Sequence, residues 1–391
     1  MKKKILFVYH VSTIGGGSFC LLNILKSLDR SLVKPYVLLC NNGPLVDEIR
    51  KLDIDVYFLA EMRTVPYNHN TFTVRALINA YHLIHSFKKF KDIVLELGVD
   101  VVYLNTMMLY PYLKQVKDLG KKTIIHIREH WPKGEHQWQR KQAIEHIKDY
   151  ADYIVAINNY SASMLEERAN EVCVIYDWVD FSNRYKSFPL GNIFGEDILS
   201  KKVFLFTGGI LRIKGGYQVL KCFTDRIKGD EYRLLFMGYD MNKQISGFYG
   251  LLKRILFKLG CDINEMKVRQ IVANDNRIKC IPATYQLVDI VKQSYCMLSF
   301  YTIPHANLAM AESLILGTPV VAAWTEEAEE YSQGASHVCL FKMNDIDSMA
   351  SAIFKMDAFI QEYNPQPAKE LELIFSRDYN VKKLRNLLKR I

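Results

Sequence analysis

Short apolar runs alternate twice with longer amphipathic stretches, on either side of one polar break, and predict an α/β chain of two doubly wound, Rossmann-like domains. In the first half the runs are Ile5–His10, Lys34–Leu39, Asp55–Leu59, Val101–Leu104, Thr123–Arg128, Tyr153–Ile157 and Val172–Ile175. Between them apolar residues recur every three or four positions, the period of a helix with one face on a core. A strand–helix–strand alternation of this kind gives a parallel sheet with helices on both faces. The pattern breaks near Tyr176–Asp180, and a polar stretch with Pro189 and Gly191 follows to about residue 199. Proline and glycine punctuate loops, so 176–200 is the expected linker.

A second alternating block supplies the runs Val203–Thr207, Arg233–Met237, Arg277–Ile281, Met297–Phe300, Pro319–Ala322 and Val338–Leu340. The chain closes on a helix, Asp378–Lys389, rich in Lys and Arg. The expected domains are therefore 1–180 and 200–375, followed by the terminal segment 376–391. Ligands of such sheets bind beyond the strand carboxyl ends, which places the expected site in a cleft between two such edges.

At 391 residues, with 49% hydrophobic and 24% charged residues, the composition is that of an ordinary globular protein. No run is long and apolar enough for a membrane span. The first apolar stretch is cut by His10, Ser12 and Gly15–Gly17, so it reads as a strand and not as a signal peptide, and a cytoplasmic protein is expected. Eight cysteines without a C-x-x-C pair argue for reduced thiols over a disulfide framework or a zinc site. The net charge of +9 suits an anionic small substrate or an anionic membrane surface. No recognition helix or aromatic RNA-binding motif accompanies it, and no nucleic-acid partner is expected.

Three segments carry chemistry. Ile14-Gly15-Gly16-Gly17-Ser18 follows the first strand and opens a helix, where backbone amides can approach an anion. It lacks the spacing of a dinucleotide fingerprint, and a tight strand-to-helix turn would have the same sequence. Phe206-Thr207-Gly208-Gly209-Ile210-Leu211-Arg212-Ile213-Lys214-Gly215-Gly216 follows the first strand of the second domain and sets two cations among glycines ahead of a helix. Fixed cations there would stabilise a departing diphosphate. In 301–323, His305-Ala306-Asn307 precede a helix whose one carboxylate is Glu312, and Gly317-Thr318-Pro319 lead into a buried strand. The amides near Asn307 and Leu308 suit a phosphate, and Glu312 could accept hydrogen bonds from a sugar diol.

Together, Gly208-Gly209 with Lys214-Gly215, the Glu312 helix ending in Gly317-Thr318-Pro319-Val320-Val321, the first-domain Gly15-Gly16-Gly17 turn and the junction Val174–Asp180 resemble the GT-B glycosyltransferases of family 4, bacterial polysaccharide-biosynthesis type. The resemblance covers nearly the whole chain with the motifs in order. It implies that the terminal helix crosses back to the first domain. It implies that Lys214 meets the donor diphosphate and that Glu312, the second Glu of the family's E-x7-E motif, holds the ribose. Pro282-Ala283-Thr284-Tyr285 would lie beside the base. Two positions depart from the family: the first Glu of the motif falls on Pro304, and the usual loop Arg falls on Gly209, with Arg212 its expected substitute. In the first domain the strand ending Arg128-Glu129 occupies the register of the family's sugar-facing His-Asp pair, flanked by His126 and His130, with Asn105-Thr106 on the preceding strand.

The function implied is retaining, metal-independent, hexosyl-type transfer from a nucleotide-diphosphate sugar to a carbohydrate acceptor, lipid-linked or part of a surface polysaccharide, without a cofactor. Lys214, Arg212, Glu312, Arg128 and Glu129 are the expected catalytic set. Gly15, Gly16, Gly17, Gly208, Gly209, Thr284, Tyr285, His305, Asn307 and Leu308 are the expected donor contacts. A GT-B chain that binds without transferring and a nucleotide-sugar epimerase share this fold and remain alternatives. Two stretches, 63–97 and 241–270, mix leucines, aromatics and lysines at helical spacing, as helices at an anionic membrane surface do and as core-facing helices also do.

Overall fold

The computed structural model of this protein describes residues 2–65, 74–131, 133–134, 137–179, 189–195, 198, 200–243, 247–259, 261, 263–284 and 286–391. Its first sheet comprises β1 (Lys3–Tyr9), β2 (Val33–Leu39), β3 (Asp55–Phe58), β4 (Val101–Leu104), β5 (Lys122–Ile127), β6 (Tyr153–Ala156) and β7 (Cys173–Val174). Their order is β3-β2-β1-β4-β5-β6-β7 and every pairing is parallel. The second comprises β8 (Lys202–Phe206), β9 (Tyr232–Met237), β10 (Ile278–Ile281), β11 (Cys296–Ser299), β12 (Val320–Ala323) and β13 (Val338–Phe341). It too is parallel throughout, in the order β10-β9-β8-β11-β12-β13. Each apolar run read from the sequence coincides with one of these strands. The protein thus has the α/β, GT-B architecture expected of it, with two doubly wound sheets flanked by helices.

Both sheets are covered on both faces, and strand alternation divides the cores accordingly. On β1, Leu6 and Val8 join Tyr112, Phe90 and Ile125 on one face, while Ile5 and Phe7 join Leu21, Leu25 and Tyr103 on the other. In the second sheet Phe204 and Phe206 pack with Leu220 and Phe223, and Val203 and Leu205 with Leu190 and Ile290. The runs are continuously apolar because neither side of a central parallel strand meets water.

The chain divides into two units, Met1–Trp178 with Ser376–Ile391, and Val179–Phe375. The helix Arg377–Arg390 belongs to the first unit through both its apolar face and its polar contacts. Val381, Leu384 and Leu387 join the core that holds Ile5, Phe7 and Trp178. Asn380, fully buried, accepts a hydrogen bond from the Tyr176 amide (2.9 Å) and donates one to the Ser376 carbonyl (2.9 Å). Lys383 donates to the Val174 carbonyl at 3.0 Å. Of the expected linker, 176–178 lie in the first unit and Leu190–Phe194 form a short helix in the second, while 180–188 fall outside the described residues.

In a doubly wound sheet the crevice opens where the strand order reverses. That place lies between β1 and β4 in the first unit and between β8 and β11 in the second. Replacing Asn380 by Ala leaves the Tyr176 amide unpaired in the core. It should cost about 1–3 kcal/mol of first-unit stability, read as a lower urea midpoint, whereas Lys382→Ala on the exposed face should leave the midpoint where it is.

Candidate functional site

In the second unit the loops after β8 and β11 meet at the switch point. The β8 loop is built on glycines that no other residue could replace without movement. Gly209 has φ +60°, and a Cβ there would lie 2.7 Å from the Gly238 carbonyl oxygen. Gly215, at φ +66°, is pressed against the Phe300 carbonyl. This tight path carries the 3₁₀ turn Arg212–Lys214. The β11 loop is tied to it by Thr302, whose backbone N–H and hydroxyl both donate to the Ile213 carbonyl at 2.9 and 3.3 Å.

The β11 loop ends at Asn307, which caps the helix Leu308–Ile315. Its side-chain oxygen accepts from the Met310 amide at 3.3 Å, and its Nδ2 donates to Ser299 Oγ at 2.7 Å. The first helical hydrogen bonds start at Met310 and Ala311, so the Leu308 and Ala309 amides stand outside the ladder at the positive end of the helix dipole. Glu312 follows one turn later on the same face as Leu308. It is half-buried, has no hydrogen-bonding or ionic partner among the described residues, and burial raises its carboxyl from 4.5 to about 7.

Lys214 is likewise half-buried, with no partner for its Nζ among the described residues, and burial lowers its pKa. His305 is pushed down to about 4 by burial and by the charge of Lys214, so its ring is neutral near pH 7. The Tyr301 ring stands 5.2 Å from the His305 ring. The structure therefore gathers Lys214, His305, Asn307 and the Leu308 amide at one edge, with Glu312 a turn further along the helix. Arg212 is exposed on the rim, beside Leu211 and Leu252. Gly208 packs on the Phe206 ring. Thr284 Oγ1 accepts from the Gln286 amide at 3.2 Å, and Tyr285 lies outside the described residues.

In the first unit Gly15 precedes the helix Gly16–Ser27 with no side-chain cap. The first helical bond runs from the Phe19 amide to the Gly15 carbonyl (3.0 Å), which leaves the amides of 16–18 outside the ladder. A Cβ on Gly15 or Gly16 would meet nothing within 4 Å, whereas one on Gly17 would strike the Tyr9 hydroxyl. Arg128 is buried and Nη2 pairs with Asp177. Glu129 accepts from the Thr106 hydroxyl (2.6 Å) and the Met107 amide (3.1 Å), and burial raises its pKa. These two residues are thus held by their own unit, and Arg128 Nη1 has no partner among the described residues.

The first unit also holds unsatisfied polar groups at residues the sequence singled out, Asn105, His126 and Arg128, and at one it did not, His10. His10 Nδ1, both amide atoms of Asn105, His126 Nε2 and Arg128 Nη1 are buried without a hydrogen-bond partner among the described residues. All four residues follow or end β1, β4 and β5 at their carboxyl ends, on either side of the switch point. An orphaned buried polar atom costs about 1–3 kcal/mol, so a set of them at one sheet edge makes that edge a candidate ligand position. Burial and the Arg128 charge hold His126 well below its ordinary range, and burial alone takes His10 to about 4. Both rings are therefore neutral, and Tyr103 Oη lies 2.8 Å from His126 Nδ1. A polar residue ending a buried strand was the signal for His10. Among the described residues no three His, Cys, Asp or Glu side chains gather as a metal site requires, and no helix is long and apolar enough to cross a membrane.

No protein-family model matches the chain, nor does any curated protein sequence. Solved structures do. The Anabaena protein HepE, in complex with UDP and glucose, superposes with a TM-score of 0.76 at 17% identity over 100% of both chains. A glycosyltransferase from Rickettsia africae gives 0.70 at 16% identity, over 100% of this chain and 98% of its own. A UDP-N-acetylglucosamine 2-epimerase gives 0.59 at 11% identity, over 100% and 97%. At these identities the likeness is one of fold.

Raising the Glu312 pKa above its unfolded value makes the ionised form a liability. The penalty is absent below about pH 4.5, grows through the interval up to about 7 and is complete above it, up to roughly 3 kcal/mol. Glu312→Gln should therefore melt several degrees above the parent at pH 8 and at the same temperature at pH 4.5, in differential scanning calorimetry without ligand.

Proposed function

We propose that this protein transfers a hexosyl group from a nucleotide-diphosphate sugar to a carbohydrate hydroxyl, with retention at the anomeric carbon and without a metal ion. The observation that carries this reading is the pair of half-buried charges in the second unit, Lys214 and Glu312, without partners among the described residues and beside a helix N-terminus. Cation, amides and carboxylate match diphosphate and ribose in the order a nucleotide presents them. The fold it shares with HepE, which binds UDP and glucose, supports the same choice.

In this mechanism the β-phosphate of the donor sits on the Leu308 and Ala309 amides, with Lys214 beside it. As the bond from the anomeric carbon to the diphosphate oxygen lengthens, negative charge grows on that oxygen. Lys214 and the helix dipole stabilise it in a low-dielectric setting, where each is worth more than in water. Glu312 accepts from the ribose hydroxyls and fixes the nucleotide, and neutral His305 can donate to a sugar oxygen without adding charge. Arg212 contributes from the exposed rim at longer range. The acceptor hydroxyl enters on the face the diphosphate leaves, and its proton passes to the departing oxygen. Gly15–Gly17 and the orphaned atoms of His10, Asn105, His126 and Arg128 bind sugar hydroxyls. The acceptor is a lipid-linked or surface polysaccharide, and the protein works at an anionic membrane face.

A second reading, nucleotide-sugar binding without transfer, is favoured by two observations. Pro304 replaces the family's donor-sugar Glu, and the φ and packing of Gly209 exclude the family's Arg.

Thermal shift against UDP, GDP, ADP and CMP and their sugar conjugates, without added metal, tests the site. Saturation a hundredfold over Kd stabilises by about 2.7 kcal/mol. One diphosphate series should raise the melting temperature, and both Lys214→Ala and Glu312→Ala should abolish the rise. Where a donor and acceptor support turnover, Lys214→Ala should lower kcat by roughly 100-fold or more. Binding with no turnover on any acceptor would select the second reading, and unchanged binding in both variants would reject the residue assignment.

A further inference from the structure

The helix Gly247–Lys258 and Leu259 after it present a row of aliphatic side chains outward. Leu251, Leu252, Ile255, Leu256 and Leu259 are all exposed, Leu259 to 73% and Leu251 to 56%. Their spacing sets them on one helical face, and from 250 to 259 only Gly250 is buried. Leu211, 57% exposed on the β8 loop, extends this ridge. Between them lies an open groove of about 540 Å³ lined by Ile210, Leu211, Arg212, Leu252, Leu256 and Ile263 among others. The long first-unit helix Val74–Glu96 also exposes Leu77, Ile78, Tyr81 and Ile84, but it seats Leu83, Phe90 and Val94 in its core.

The charge on this face is mainly positive, with Glu265 of the groove lining tied up by Lys253. Residues 247–261 contain Lys253, Arg254 and Lys258 and no Asp or Glu, and Arg212 stands on the groove rim. Lys253 reaches back to Glu265 at 2.9 Å, and Glu265 also accepts from Tyr239 Oη at 3.0 Å, so this bridge anchors the helix to the unit while its leucines face out. Lys258 is exposed, with no partner among the described residues.

We propose that this face docks on an anionic lipid bilayer, with the leucines at the acyl boundary and the basic side chains at the headgroups. A bilayer interface accepts both features at once, because the lysine and arginine stems run along the apolar ridge and lift their charges to the lipid phosphates. A second copy of the chain fits less well, since a two-fold contact would set these cations against their own images. The proposal gives the membrane contact named above a definite surface, and rests on it for the class of partner. It also places Arg212, on the same loop as Lys214, at the lipid surface.

Sedimentation with vesicles of phosphatidylglycerol in phosphatidylcholine, and with phosphatidylcholine alone, tests it without nucleotide or sugar. Its failure thus leaves the transfer reading standing. The parent should bind the anionic vesicles, less so as salt rises, and the neutral ones weakly. Lys258→Glu should weaken binding roughly tenfold, and Leu251→Asp with Leu259→Asp should remove it, while circular dichroism and the melting temperature hold. Ile255→Trp supplies a reading that does not depend on loss, with emission shifting to the blue on anionic vesicles only. A parent that stays in the supernatant, variants that bind like the parent, or a concentration-dependent dimer that the aspartates abolish in place of vesicle binding would overturn the assignment.

Discussion

Parallel pairing is the constraint from which the rest of the molecule follows. Every strand in both sheets runs the same way as its neighbours, so all strand carboxyl ends in a sheet share one edge and the following helices begin there. The first available amides of Gly16–Ser27 and of Leu308–Ile315 therefore open beside β1 and β11 for topological reasons. The glycines then decide how near a ligand can come. Gly209 and Gly215 occupy left-handed backbone that folds the β8 loop against Gly238 and Phe300, and this fold leaves Lys214 half-buried where a longer loop would release it to solvent.

Burial without partners is the second organising fact. A surface lysine or glutamate costs nothing to leave unpaired, but Glu312 at about 7 and the lowered Lys214 show charges held in a medium that resists them. The folded chain holds these groups at the expense of its own stability, the arrangement expected of a preorganised electrostatic site. The first unit uses a different device. Arg128 is neutralised in place by Asp177, and Glu129 is held by Thr106 and Met107, so among the described residues the unsatisfied buried atoms at the carboxyl ends of β1, β4 and β5 are the neutral ones of His10, Asn105 and His126 together with one guanidinium nitrogen. Neutral donors and acceptors suit sugar hydroxyls, whereas the charged set of the second unit suits a phosphate and its ribose.

Sequence carried the periodic part of this architecture well. The apolar runs became strands, and the loops after β8 and β11 could be picked out from glycines, cations and one carboxylate on an apolar helix. What escaped it was long-range. Nothing near Arg128 in sequence announces Asp177, and nothing near Tyr176 announces Asn380, because such partners are chosen by tertiary packing. Gly209 looked like the loss of an arginine. Its backbone shows a stricter cause, since a Cβ would lie 2.7 Å from the Gly238 oxygen, a contact that only the folded loop creates.

The segment 247–259 shows the same limit from the other side. Leucines at helical spacing with lysines between them specify an amphipathic helix, and most such helices turn the leucines inward. Periodicity fixes which residues share a face but carries no information about where that face points. Here Lys253 is the residue tied inward, to Glu265, and the leucines are left out. A short helix is marginal in water when it buries little apolar surface, because nucleation is costly and the packing that normally offsets it is missing. Its outward leucines are therefore more than a gap in the core: Leu251, Ile255 and Leu259 stay exposed among the described residues, and the mainly positive charge beside them says what kind of surface can cover them.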